Sequence, residues 1–86
     1  MNISVELTLM PLQTDFERSI IDFIKALRRS EFRVIENPLS TQIYGEYGTL
    51  MLFLTKTIKA SFEDIEHVVL NMKIVKSDRS DYEPHF

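Results

Sequence analysis

The chain has 86 residues, enough for one domain, with 44% hydrophobic and 27% charged residues, an ordinary soluble composition. Ten basic against thirteen acidic residues leave a net charge of −3, which argues against nucleic-acid and anionic-membrane partners, since both need a basic footprint. The absence of cysteine excludes disulfides, thiolate metal sites and cysteine nucleophiles.

Residues 2–10 read as a strand. Ile3, Val5, Leu7 and Leu9 share one face, and Ser4, Glu6 and Thr8 share the other. MNISVELTLM has no basic n-region, so this start is a strand and not a signal peptide, and the chain reads as cytoplasmic. Pro11, having no amide proton, closes the strand. Thr14 and Glu17 have the spacing of a capping box and predict a helix of about four turns. Its apolar stripe is Phe16, Ile20, Ile24 and Leu27, with Ile21 and Phe23 flanking, and Arg28-Arg29 reads as a solvated helix end.

Phe32 to Glu36 reads as an edge strand, and Asn37-Pro38 as a turn. Residues 39–47, LSTQIYGEY, form the most informative stretch. Thr41, Ile43 and Gly45 point one way, and Gln42, Tyr44 and Glu46 the other. A helix over residues 49–60 carries Leu50, Met51, Leu54 and Ile58 on one face, with Leu52 and Phe53 widening the apolar surface. Residues 61–66 read as a loop. Residues 67–75 read as the last strand, with Val69, Asn71, Lys73 and Val75 on the polar side. The tail, residues 77–86, is polar with two aromatics, and is expected either to fray or to pin to a neighbour.

The order βαββαβ, with right-handed crossovers, predicts an α+β, ferredoxin-like sandwich spanning residues 1–86. Two helices cover one face of a four-stranded antiparallel sheet, with the first and third strands central. The other face stays open. It shows Ser4, Glu6 and Thr8 beside Gln42, Tyr44 and Glu46, with no His or Arg expected there. One Tyr between two carboxylates suits a cationic, amine-bearing planar ligand. Tyr44 offers a stacking face, Glu6 or Glu46 accepts from an exocyclic amine, and Thr8, Asn37, Ser40 and Gln42 add neutral hydrogen bonds. The competing reading is that both carboxylates are solvated or paired with Lys73. His67 and His85 have no partners at metal-ligand spacing, and no Gly-rich phosphate loop is present.

Three blocks carry a resemblance: ISVELTLMPL at 3–12, NPLSTQIYGEY at 37–47 and VVLNMKIVKSDRSDY at 68–82. They resemble the YkoF-like thiamine/hydroxymethylpyrimidine-binding family. The positions matching its motifs are Glu6, Pro11, Asn37, Ser40, Thr41, Gln42, Tyr44, Gly45 and Glu46. The resemblance implies non-catalytic binding of thiamine or its pyrimidine half as ligand, with no other cofactor. It also implies a role in thiamine salvage, transport or homeostasis, and self-association as a homodimer or homotetramer. Gly48 stands where the family commonly has an acidic helix cap, and Ser77 where a glycine is usual. The alternative from another class is a structural or regulatory oligomer whose open face is simply an interface.

Overall fold

The computed structural model describes residues 1–85. The elements are β1 (Asn2–Pro11), α1 (Phe16–Arg28), β2 (Arg33–Glu36), β3 (Thr41–Glu46), α2 (Tyr47–Asp64) and β4 (Val68–Val75). The sheet order is β2-β3-β1-β4 and every pairing is antiparallel, so the fold is the ferredoxin-like α+β sandwich that the βαββαβ pattern predicts.

Strand alternation builds the core. Ile3, Val5, Leu7 and Leu9 of β1 and Ile43 of β3 are buried against Phe23 and Leu27 of α1 and Leu50 and Leu54 of α2. Phe16, read as part of the α1 stripe, is instead exposed, and Phe23 takes its place in the core. Met72 and Ile74 share the helix side of β4 but remain exposed, because the helices pack chiefly on the central strands β1 and β3.

Gly45 makes room for an aromatic ring. A Cβ there would lie 2.6 Å from Cδ1 of Phe32, whose ring packs against Phe53 with centroids 5.5 Å apart. A side chain at residue 45 would displace the ring that closes this end of the core.

Several local readings are corrected. The Thr14–Glu17 capping box does not form. The helix starts at Phe16 after Asp15, which makes no side-chain capping bond. Pairing with β4 carries on past Pro11, as Leu12 N donates to His67 O, so the chain turns into the helix later than the Thr14 signal suggests. Arg28 is solvated at the helix end, as read, but is also anchored to the following strand. It makes two bonds to Glu36, 2.6 and 2.7 Å long, and the guanidinium holds that carboxyl below its ordinary range. Helix α2 runs from Tyr47 through Asp64, absorbing most of the expected 61–66 loop. Ser61 to Asp64 contain no breaker, and Ile65 is buried just beyond the helix end.

Candidate functional site

The open face is organised in rows by the strand registers. Opposite Ser4 on β1 stand Tyr44 on β3 and Val75 on β4, and opposite Tyr44 stands Arg33 on β2. The next row is Ile35, Gln42, Glu6 and Lys73, and Asn71 stands beside Thr8 beyond it. Residues opposed in an antiparallel ladder share a face, so all of these project away from the helices. The sequence placed Tyr44 and Glu6 on this face correctly. It missed Arg33, which contradicts the expectation that no Arg lies there.

Ser4, Glu6, Gln42, Tyr44, Lys73, Val75 and Arg79 line a hollow of about 150 Å³ on this face. A cavity of roughly this size holds one six-membered aromatic ring. Glu6 and Tyr44 sit diagonally on adjacent central strands with no strand between them. One oxygen of Glu6 accepts from Ser40 Oγ at 3.0 Å, while its other oxygen is 4.0 Å from Lys73 Nζ, the outer limit of an ion pair. Ser40 Oγ in turn accepts from Gln42 Nε2 at 2.7 Å, and Gln42 Oε1 accepts from Asn37 Nδ2 at 3.3 Å. Glu6 is therefore aimed by a chain of neutral amides and hydroxyls rather than neutralised by a close cation.

Asn37 acts mainly on the backbone. Its Oδ1 accepts from the amides of Leu39 and Ser40, each at 3.0 Å, which builds the β2–β3 turn. Thr8, Asn37 and Ser40 also line a second hollow of about 200 Å³, beneath that turn, with Leu7, Ile20 and Phe23. The predicted polar set is thus shared between two neighbouring hollows. Thr41, a family-motif position, is buried on the helix side. Glu46 caps α2: its carboxylate accepts from Gly48 N at 2.6 Å. The cap that Gly48 was expected to supply weakly is provided by Glu46.

The segment after β4 lies over its own sheet. Ser4 Oγ donates to Ser77 O at 2.7 Å and accepts from Arg79 N at 2.8 Å. Arg33 then reaches Asp81 at 2.9 Å and Ser80 at 3.2 Å. Residues 77–81 form a strap from the β4 edge towards the β2 edge. Asp78 accepts from Ser80, which holds its carboxyl below the ordinary range. Under this strap burial raises the Tyr44 phenol above its ordinary value; Asp78 and Glu6 add to the rise and Arg33 opposes it. Ser4, Arg33 and Arg79 are the residues that sequence reading missed. A serine in the polar register of β1 was visible, but its partners lie at the other end of the chain.

The sequence pattern of the thiamine-binding protein family matches residues 5–86, nearly the whole chain. The chain belongs to that family. Membership gives it a thiamine-related role. Among solved structures, protein SP2199 of Streptococcus pneumoniae is 24% identical with a TM-score of 0.84, over 94% of this chain and 92% of that one. A Thermotoga maritima protein, named for a proposed role in thiamine biosynthesis or salvage, is 16% identical with a TM-score of 0.81. That match covers 90% of this chain and 85% of the other. A Bacillus cereus domain of unknown function is 18% identical with a TM-score of 0.75, covering 90% and 77%. At these identities the likeness is one of fold. No curated protein matches the chain. No helix among the described residues is long and apolar enough to cross a membrane, and none of their acidic and histidine side chains cluster as a metal site.

Proposed function

We propose that this family member binds thiamine or its hydroxymethylpyrimidine half in the open-face hollow, without chemical conversion, in thiamine salvage, transport or homeostasis. One observation carries the reading. Glu6 and Tyr44 reach the same hollow from adjacent central strands, an acceptor beside an aromatic platform. Glu6 accepts from the exocyclic amine, Tyr44 stacks on the ring, and Gln42 orients it, while Ser40, Asn37 and Thr8 support them from the neighbouring turn and strand. The hollow's one hydroxyl besides the phenol, that of Ser4, is already spent on the strap, which favours binding over nucleophilic chemistry. Glu46, taken up by the helix cap, is left outside the ligand set.

Isothermal titration with thiamine and with hydroxymethylpyrimidine tests this. The expected Kd is micromolar, about −8 kcal/mol. Glu6→Gln should weaken binding by roughly tenfold or more, since it removes a charge-assisted acceptor worth about 1.5–3 kcal/mol. Absence of heat with either ligand at millimolar concentration overturns the proposal.

We also propose that the chain forms a homo-oligomer. The exposed Val69, Met72 and Ile74 on the edge strand β4 are the surface that supports it.

A further inference from the structure

The hollow's charge does not match a ligand recognised through its amine alone. Its lining carries two cations, Lys73 and Arg79, against a single carboxylate, Glu6, on a chain whose net charge is −3. Glu6 is aimed by Ser40, and its nearest cation stands off at 4.0 Å. Arg79 is held in place. Its backbone amide donates to Ser4 Oγ at 2.8 Å, and its Nε donates to Ser77 Oγ at 2.8 Å. No carboxylate among the described residues pairs with its guanidinium, whereas Arg28 and Arg33 each have one. The neighbouring Asp78 points its carboxylate at the Ser80 amide.

A guanidinium tethered at its Nε, an ammonium 4.0 Å from Glu6 and that acceptor carboxylate line one hollow and make it a dipolar site. Arginine forks match the oxygens of a phosphate in geometry as well as charge. Two cations against one carboxylate favour a ligand with an anionic group over the same ligand without it. They would attract one that carries an amine at one end and a phosphate at the other. The hollow's size, about 150 Å³, leaves room for a single ring, with any further substituent emerging at the wall.

We propose that the site takes a phosphorylated aminopyrimidine: the ring over Tyr44, the amine on Glu6, and a phosphate ester between Lys73 and Arg79. This rests on the thiamine-type binding proposed above and narrows its ligand class. The phosphate could be borne on the pyrimidine's own hydroxymethyl arm or on the thiazole arm of the intact vitamin, and the experiment separates these.

Wild-type protein is titrated calorimetrically with hydroxymethylpyrimidine, hydroxymethylpyrimidine phosphate, thiamine, thiamine monophosphate and ribose phosphate. At least one pyrimidine ester should bind about tenfold or more tightly than its unphosphorylated parent, because charge-assisted bonds are about twice as strong as neutral ones. The tighter of the two esters identifies the arm. In Arg79→Gln the ratio of ester to parent affinity should fall towards one, and Arg79→Lys, which keeps the charge but loses the fork, should restore only part of it. Circular dichroism of both variants checks that they are folded. Parents and esters binding equally, or an ester preference that survives in Arg79→Gln, overturns the phosphate assignment and leaves pyrimidine binding standing. Ribose phosphate binding as tightly as the pyrimidine esters also overturns it. Failure of every pyrimidine compound to bind overturns the thiamine-type reading itself.

Discussion

Ser4 has a larger part in the site than its size suggests. It is 7% exposed, and its one hydroxyl serves both a carbonyl and an amide of the strap. Replacing it with alanine leaves Ser77 O and Arg79 N without that partner, at a cost of about 1–3 kcal/mol. The loss falls on strap docking rather than on the core, so Ser4→Ala should speed hydrogen exchange at the Arg79 amide by about tenfold or more. Exchange unchanged from wild type would show that the strap is held by other contacts. Period-two alternation made Glu6, Gln42 and Tyr44 legible as open-face residues. The same alternation put Glu46 with them, and was right about the strand but silent on the helix that begins at the next residue. A strand's last side chain can turn back and cap that helix, and nothing in the spacing announces it. The polar register of β2 put Arg33 opposite Tyr44, which the sequence reading overlooked because it set that edge strand antiparallel to the next one without assigning a register.

Among the elements, α2 shows most clearly how a local signal is assembled by tertiary context. Its first-turn amides need a partner, and the residue expected to cap it weakly, Gly48, instead donates to Glu46. Glu46→Ala should therefore destabilise the fold by about 0.5–1 kcal/mol. Thermal unfolding should show Tm falling by about 2–8 °C for a domain of this size. An unchanged Tm would mean that solvent replaces the cap without loss. The substitution leaves the hollow's lining untouched, so affinity for a pyrimidine ligand is the control. Helix α1 illustrates the opposite case. Thr14 and Glu17 have the right spacing for a capping box, yet β1–β4 pairing extends to Leu12 and defers the helix start. A pairwise motif lost to a non-local ladder that the sequence could not display.

For the molecule as a whole, two surfaces remain to be satisfied. The strap covers part of the open face, and β4 leaves Val69, Met72 and Ile74 exposed along an eight-residue edge strand. Such an edge, unpaired and apolar on both sides, is a template for a second chain. Sedimentation velocity should show an oligomer at micromolar concentration. The double variant Met72→Lys with Ile74→Lys should shift it towards monomer. A monomer in the wild type, or an oligomer indifferent to these charges, would remove β4 as the interface.

The sequence by itself determined the element order, the strand order and the side of the sheet on which Glu6 and Tyr44 emerge. These follow from periodicity, which is a local property, and from the handedness of crossovers, which leaves a βαββαβ chain few arrangements. Tertiary structure alone decided which polar residues meet. Ser4 and Arg79 stand 75 positions apart, and Arg33 and Asp81 stand 48 apart. No spacing rule spans such separations, because the contact depends on where the last strand delivers the chain. The closure of the hollow and the Arg79 cation in its lining came from that delivery, whereas Lys73 already stood in the polar register of the last strand.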